Sequence, residues 1–329
     1  MANIREYLDD IRGQSQDSDI IDKMCYKGFS PELKKQLEGD GFAPYQGKVR
    51  ELVRSGDDLW IYHTDRLTAF DRYIGLVPFK GAILARLSEF WLKEASQLMP
   101  VHFKCLPHGR VICGEAMEPV KVEVIVRGYM AGSMARAYAK GARKICGVSL
   151  PEGLEEFRPL PSPIITPTTK AEAFEHDEDT TAEELVAKGV CSRKEWNQIA
   201  KMALELFAHG QKIYGKKGWI LADTKYEFGR SSDGTIKVID EIHTPDSSRL
   251  WRASSYEERL SNGEAPEMLD KEVVRRYLLS KGFSGEGDVP VVPNDVLVEL
   301  AGVYLEVAEC LLDGAIELDL TTPLPMPKH

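Results

Sequence analysis

The sequence predicts an α+β fold in two packed lobes, a smaller one built on antiparallel strands and a larger one that mixes strands and helices. The chain has 329 residues, more than a typical single domain. Its 43% of hydrophobic and 29% of charged residues are ordinary for a globular protein. Two hairpin patterns, near residues 45–63 and 219–242, alternate with stretches of helical periodicity, and this mixture favours the α+β class.

Residues 1–40 are expected to form an N-terminal helical extension. Amphipathic, acid-rich pieces lie around Ile4–Ile11, Ile20–Tyr26 and Pro31–Leu37, and none carries a motif. We place the smaller β lobe over residues 41–118.

The β lobe begins with a predicted hairpin. The apolar-alternating KVRELVR (48–54), a turn over 55–58 and the β-rich LWIYHT (59–64) give the two strands. The segment DRLTAFDR (65–72) has no clear period and is interpreted as a loop. Gly81–Ala95 then shows helical spacing.

Residues 119–329 are assigned to the larger lobe, which ends in helices. Val120–Val126 has the β-branched composition of a buried strand, and a short helix is expected over Ser133–Lys140. Residues 145–169 hold five prolines and are interpreted as a long extended loop. Later helices are predicted from a capping box at Ser192-Arg193-Lys194-Glu195 up to about Tyr214, and over Asp295–Leu312.

The hairpin over 219–242 carries the most informative charges. Asp233-Gly234 predicts a two-residue type I′ turn, and counting back from it pairs Glu227 with Asp240. Two carboxylates facing each other repel unless a cation lies between or beside them. Lys225 and Asp223 alternate onto the same face as Glu227. Such a patch is suited to hold a divalent ion against phosphate oxygens.

Three further motifs each leave two interpretations open. Gly47-Lys48-Val49-Arg50 can approach a phosphate or form a solvated edge. Arg127, with Ser133 as a helix cap, can bind an anion or simply form a turn. Lys170, His176 and Asp177 lie in a charge run that can be functional or merely solvated.

Asp246 and Arg249 follow the second strand of the 219–242 hairpin. They therefore return to the same end of that hairpin as Asp240. This convergence of an acid and an arginine at a strand end favours a functional role.

Charge and composition exclude some classes of function. The net charge of −10 argues against nucleic-acid binding, which needs a basic face. No apolar run approaches ~18 residues, so we expect no membrane helix. The charged N-terminus does not resemble a signal peptide, and the six scattered cysteines fit a reducing compartment, so we expect a cytoplasmic protein.

Six ordered motifs resemble one enzyme family. GKVRELV, DRLTAFD, VRGYMAGS, PIITPTTKAEAFEHDED, ADTKYEFG and DEIHTPDSSRLW occur in the order typical of the phosphoribosylaminoimidazole-succinocarboxamide synthases, or SAICAR synthetases. The resemblance spans about residues 45–252. It implies an ATP-dependent ligase of purine biosynthesis that joins L-aspartate to carboxyaminoimidazole ribonucleotide (CAIR), with ADP and phosphate as the other products and an acyl phosphate as the expected intermediate.

The resemblance also implies roles for individual residues. Gly47, Lys48 and Arg50 would bind ATP, and Glu227 and Asp240 would carry Mg²⁺. Lys225 and Arg127 would hold the substrate carboxylate. The remaining substrate contacts would come from Ser133 and Arg249 near the ribose phosphate, Asp246 near the ribose hydroxyls, and Lys170, His176 and Asp177 in a closing loop.

The implied fold places a kinase-like or ATP-grasp-like nucleotide lobe beside the larger lobe, with the site in the cleft between them. We expect small-molecule partners and a monomer or small homo-oligomer. One alternative is a kinase-like phosphotransferase that uses the same nucleotide lobe. Another is a catalytically inactive nucleotide-binding module, against which the intact Lys48, Lys225, Glu227 and Asp240 argue.

Overall fold

The computed structural model describes residues 2–13, 19–170, 178–318 and 322–327. The helices of these residues are, in chain order, α1 (Ile4–Gly13), α2 (Ile20–Met24), α3 (Pro31–Gly39), α4 (Lys80–Ser96), α5 (Gly132–Ala139), α6 (Ala182–Ala187), α7 (Arg193–Lys216), α8 (Tyr256–Ser261), α9 (Glu272–Ser280) and α10 (Asn294–Leu312). The strands are β1 (Ala2–Asn3), β2 (Tyr45–Gln46), β3 (Arg50–Ser55), β4 (Asp58–His63), β5 (Arg66–Ala69), β6 (Arg72–Leu76), β7 (Phe103–His108), β8 (Val111–Glu115), β9 (Glu118–Pro119), β10 (Val122–Tyr129), β11 (Lys144–Ile145), β12 (Val148–Ser149), β13 (Pro159–Thr169), β14 (Trp219–Arg230), β15 (Ile236–Ile239), β16 (Ser248–Arg252) and β17 (Glu317–Leu318).

The ladders between these strands are antiparallel, which confirms the predicted α+β class. The chain forms two compact units. Unit 1 consists of Met1–Lys93, His102–Ala116 and Asp270–His329, and unit 2 of Glu94–Val101 and Met117–Leu269. Within the described part of the chain, no helix combines the length and the apolar character needed to cross a bilayer.

Unit 1 is built on a five-stranded sheet of order β2-β3-β4-β8-β7, as the KVRELVR and LWIYHT patterns predict for its β3–β4 hairpin. Phe29 and Leu37, from the N-terminal extension, pack with Tyr62 and Val53 of this sheet. The extension is therefore part of the hydrophobic core of unit 1.

The loop interpretation of residues 65–72 is wrong, because these residues contribute to the hairpin β5–β6. Ala69 pairs with Arg72, and Phe70 and Asp71 form the turn with φ of 52° and 58°. Two successive residues with positive φ are typical of a type I′ turn, which normally uses Asn or Gly. Phe-Asp lacks that signal, so the pattern did not reveal the turn.

Unit 2 is built on a sheet of order β13-β10-β14-β15, with β16 and β9 also paired to β14. The long loop expected over 145–169 is wrong, because Pro159–Thr169 is an eleven-residue strand. β13 lies at the end of the strand order, where proline is tolerated because one side of the strand needs no ladder partner.

Several predicted helices are confirmed. α4, α5 and α10 lie where the periodicity placed them. α7 opens with the predicted capping box, in which Ser192 and Glu195 each accept a hydrogen bond from the other's backbone N–H.

Candidate functional site

The central sheet of unit 2 has one apolar and one charged face. Val124, Val126 and Tyr226 are fully buried on the apolar face. Helix α7 covers this face: a Cβ added to Gly128 would lie 3.0 Å from the ring of Phe207. Because side chains alternate along a strand, the odd-numbered residues of β10 and β14 lie on the opposite face.

We call that opposite face the charged face. It brings together four basic and three acidic side chains that are linked by ion pairs. They are Lys170, Arg127, Lys225, Arg249, Glu123, Asp223 and Glu227.

Asp223 lies between two arginines on neighbouring strands. It is the cross-strand partner of Arg127 on β10 and of Arg249 on β16. Its Oδ2 accepts from Arg249 Nη1 at 2.7 Å and lies 3.7 Å from Arg127 Nη1. Arg127 also donates from Nε to Thr166 Oγ1 at 2.8 Å. The carboxylate thus fixes two guanidinium groups side by side while neutralising only one of them.

Both guanidinium groups reach the N-terminal turn of α5. Arg127 Nη2 donates to Ser133 Oγ at 3.3 Å. Gly132 has φ of 62°, and a Cβ added there would lie 2.5 Å from Arg249 Cζ. A helix N-terminus presents backbone N–H groups, so this corner combines two cations, a hydroxyl and a helix dipole. Such a combination suits a phosphate.

The expectation that Ser133 caps α5 is wrong. The N-cap is Ala131, with no side-chain cap hydrogen bond, and Ser133 lies within the helix. The Ser133 hydroxyl instead accepts from Arg127.

A second group of charges follows along β14. Lys225 Nζ donates to Glu123 Oε1 at 2.6 Å and to Glu227 Oε1 at 2.9 Å. The other oxygen of Glu227, Oε2, accepts from Lys170. Glu227 therefore lies between two ammonium groups. Glu123 was not among the residues predicted from the sequence, although alternation from Arg127 puts it on the same face.

Burial and charge oppose each other at these groups. Burial by itself would raise the pKa of Glu227, but the charges of Lys225 and Lys170 outweigh it and lower the pKa to about 2. Burial by itself would lower the pKa of Lys225, but the negative charges of Glu227 and Glu123 outweigh burial and raise this pKa. Both groups are ionised at neutral pH.

The predicted face-to-face pairing of Glu227 with Asp240 is wrong by one residue. Glu227 pairs with Ile239, and β15 ends before Asp240, which has φ of 63°. Of the turn pair Asp233-Gly234, only the glycine has a positive φ, 84°, and Gly234 N–H donates to Ser231 O. This is a type I turn followed by a glycine bulge rather than a type I′ turn, so the register shifts by one.

Because of this one-residue shift in register, Asp240 does not face Glu227 across the hairpin, as the expected metal site requires. Among the residues that the structure describes, no group of three His, Cys, Asp or Glu side chains could hold a metal ion. An all-protein cage therefore does not fit. A site built on the ionised Glu227 and completed by substrate phosphates does fit the preferences of Mg²⁺.

The segment that contains Asp246 is held by a buried histidine. His243 has φ of 57° and is fully buried, and its Nε2 lies 2.5 Å from the Tyr226 hydroxyl. Lys225 N–H donates to Ser247 O at 3.2 Å. Asp246, which is half-buried, is thereby held beside the strand that carries Lys225.

Gly47, Lys48 and Arg50 belong to unit 1 and form what we call the glycine turn (residues 47–50). Gly47 N–H donates to Arg50 O at 2.8 Å, which closes the turn before β3. Lys48 Nζ lies 3.1 Å from Asp71 Oδ1, and both side chains are nearly half exposed. His176 and Asp177 lie outside the described residues.

Comparison with known proteins adds independent information. The family model described as SAICAR synthetase matches residues 43–290. A phosphoribosylaminoimidazole-succinocarboxamide synthase of Cytophaga hutchinsonii is 43% identical over 282 residues, which is 84% of this chain and 90% of the relative. A protein of the same name from Bacteroides fragilis is 44% identical over 269 residues, or 80% and 85% of the two chains.

Solved structures give the same picture. The SAICAR synthase of Saccharomyces cerevisiae in complex with SAICAR matches with a TM-score of 0.72 and 29% identity, covering 83% of this chain and 95% of that one. A SAICAR synthetase in complex with ADP matches with a TM-score of 0.66 and 26% identity, covering 84% and 100%.

Proposed function

Since this chain belongs to the SAICAR synthetase family, we propose that its charged face holds CAIR and that its glycine turn holds the phosphates of ATP. The enzyme is a ligase of purine biosynthesis that joins L-aspartate to the carboxylate of CAIR to give SAICAR. The observation that carries the placement of CAIR is the pair of guanidinium groups held by Asp223 against the N-terminus of α5.

The corner formed by Arg127, Arg249 and Ser133 would bind the ribose phosphate of CAIR. Two guanidinium groups offer several fixed N–H donors to phosphate oxygens, and the helix N-terminus adds backbone N–H groups. The hydrogen bond from Arg127 to Ser133 favours a phosphate role for Arg127 over the carboxylate role that the family resemblance implies.

Lys225 would then bind the carboxylate of CAIR. A carboxylate is a poor acyl donor because its leaving group would be oxide. Transfer of the γ-phosphoryl group of ATP to one carboxylate oxygen gives an acyl phosphate and ADP. The aspartate amine then attacks the carbonyl carbon, a C–N bond forms, and phosphate leaves with that oxygen while the amine loses a proton. An ammonium group placed at the carboxylate stabilises the charge that moves between oxygens in both steps.

Glu227 is the residue that would hold Mg²⁺, with Asp240 as the second candidate ligand. A bound Mg²⁺ would neutralise charge on the nucleotide phosphates. Lys170 and Lys225 already hold the Glu227 carboxylate in place, and Asp246 would lie near the ribose hydroxyls. The antiparallel sheet of unit 1 would serve as a kinase-like nucleotide lobe, with Lys48 and Arg50 beside the ATP phosphates.

The test is ADP release from ATP and Mg²⁺ with CAIR, in the presence and absence of L-aspartate. We expect sustained turnover only with all three substrates, and Arg249→Ala should raise KM for CAIR about 10- to 100-fold. Sustained ADP release that ignores L-aspartate would support the phosphotransferase alternative instead. An unchanged KM for CAIR in Arg249→Ala would remove the ribonucleotide from the charged face.

A further inference from the structure

The side chain of Arg66, on β5, contacts the backbone of the glycine turn. The guanidinium donates to the carbonyl oxygens of Lys48 at 3.1 Å, Gly47 at 3.0 Å and Arg50 at 3.3 Å. In a trans peptide the C=O and the following N–H point in opposite directions. The N–H groups of Lys48 and Val49 therefore face away from Arg66. Successive N–H groups that point the same way suit an anion such as a phosphate.

The same guanidinium binds two other segments. Its Nη1 donates to Glu51 Oε1 at 2.6 Å and to Lys27 O at 2.6 Å. The side chains of Arg66 and Glu51 are only 9% and 1% exposed. A buried ion pair costs desolvation and is weak evidence for stability, so its geometry is the more informative property.

Residues 26–28 of the N-terminal extension pack against the Arg66–Glu51 ion pair and the neighbouring Asp65. Asp65 N–H donates to Tyr26 O at 2.8 Å, and Tyr26 N–H donates to Asp65 Oδ2 at 2.8 Å. Gly28 has φ of 119°, and a Cβ added there would lie 2.6 Å from Arg66 Nη1 and would also overlap Glu51 Oε1. The family match begins at residue 43, so this segment precedes the part shared with the family model.

We propose that Arg66 is a positioning residue of the nucleotide site and that residues 26–28 of the extension hold it in place. The inference rests on the proposed binding of ATP phosphates at the glycine turn. Arg66 does not touch the nucleotide. It fixes the peptide planes of the glycine turn, and through them the N–H groups and side chains offered to the phosphates.

The test compares KM for ATP, KM for CAIR and kcat in Arg66→Lys and Gly28→Ala, together with thermal melting. We expect KM for ATP to rise about 10- to 100-fold in Arg66→Lys, because a lysine keeps the charge but has too few N–H donors for the four carbonyls and the carboxylate that Arg66 binds. KM for CAIR should stay within about twofold. Gly28→Ala should show the same pattern, because its methyl group displaces the Arg66–Glu51 pair.

Gly282→Ala is the matched control. Gly282 also has a positive φ, 79°, and a Cβ there meets nothing within 4 Å. It should lose some stability and keep its KM for ATP. If Arg66→Lys fails to fold, Gly28→Ala alone decides the outcome, and its unchanged KM for ATP would overturn the inference.

Lys48→Ala distinguishes a wrong positioning role for Arg66 from a wrong nucleotide site at the glycine turn. If Lys48→Ala raises KM for ATP while folded Arg66→Lys and Gly28→Ala do not, the glycine turn binds ATP and the positioning role is wrong. If Lys48→Ala itself leaves KM for ATP unchanged, the proposed nucleotide site is wrong and the inference fails with it.

Discussion

Glu227 is an acidic residue that is both buried and ionised. Its carboxylate is only 7% exposed, yet Lys225 and Lys170 each bind one of its oxygens. An acid held in this way is a preorganised centre of negative charge. The two lysines, in turn, depend on it for their positions.

Glu227→Gln should therefore affect both stability and catalysis. Without the negative charge, two ammonium groups lose their common partner, and we expect the free energy of unfolding to fall by about 1–3 kcal/mol. We expect kcat to fall at least about 100-fold. Urea unfolding and steady-state kinetics measure the two effects. Glu152→Gln, at an exposed ion pair with Arg143, should leave the free energy of unfolding almost unchanged. Normal stability and a normal rate in Glu227→Gln would remove this residue from the site.

At the residue scale, the sequence predicts much of the charged face and misses its register. Alternation along β14 correctly places Asp223, Lys225 and Glu227 on one face. The position opposite Glu227 could not be predicted, because Asp-Gly is compatible with both a two-residue turn and a type I turn with a glycine bulge. One additional loop residue moves Asp240 out of that position.

At the scale of elements, the first residue of α5, Gly132, is in close contact with the guanidinium group of Arg249. Arg249 lies directly against Gly132, where a side chain would occupy the space of the guanidinium. The glycine thus allows the arginine to approach the helix N-terminus. The motif VRGYMAGS supplies this glycine together with Arg127, the other cation of the corner.

Gly132→Ala should raise KM for CAIR about tenfold or more, because the added methyl group displaces Arg249. Gly141→Ala, just beyond the other end of α5, has φ of 99° and open space around its Cβ, so it controls for backbone strain. It should destabilise the protein without changing KM for CAIR. Equal values of KM in the two variants would contradict the role of the Arg249 contact.

Glu195, in the first turn of helix α7, makes the stability of the fold depend on pH. Hydrogen bonds from Arg230 and from the backbone of Ser192 lower the pKa of Glu195 from its ordinary 4.5 to about 2. A carboxyl group whose pKa is lower in the folded chain stabilises the fold above its unfolded pKa. That stabilisation is lost as the pH falls from about 4.5 towards about 2.

Glu195→Gln should therefore lower Tm at about pH 7, and its difference from wild type should shrink by about pH 2.5. Differential scanning calorimetry at the two pH values measures this change. Glu205→Gln on the same helix is the control, since Glu205 is about half exposed and lies 3.8 Å from Lys201. A difference in Tm for Glu195→Gln that does not depend on pH would contradict the lowered pKa of Glu195.

The elements were predictable where local rules decide them. The capping box of α7 depends on four consecutive residues and was found correctly. β13 and the β5–β6 hairpin depend on a neighbouring strand and on a Phe-Asp turn with positive φ, and composition reveals neither.

At the scale of the whole molecule, net charge and local charge have opposite signs. The chain carries −10, whereas the charged face has four basic side chains against three acids. With CAIR placed at the charged face as proposed, the net charge of the molecule repels this anion and the surplus positive charge of the face attracts it. Composition predicts the first effect, and only the strand pairing reveals the second.

KM for CAIR should therefore rise severalfold between about 0.05 M and about 0.5 M salt at saturating ATP, since the Debye length shortens from about 14 Å to about 4 Å. Arg249→Ala should show a shallower dependence, because one of the attracting charges is gone. A KM that falls as salt is added would indicate that the net charge of the molecule dominates substrate capture.

The proline-rich strand β13 has a consequence for the behaviour of concentrated solutions. It forms an outer border of the sheet, and it carries Pro159, Pro161 and Pro163 in alternation. An open sheet border can recruit a strand from another molecule and start aggregation, but a proline offers no amide hydrogen for that pairing. The same residues that obscure this strand in the sequence therefore disfavour the pairing of a foreign strand at this border of the sheet.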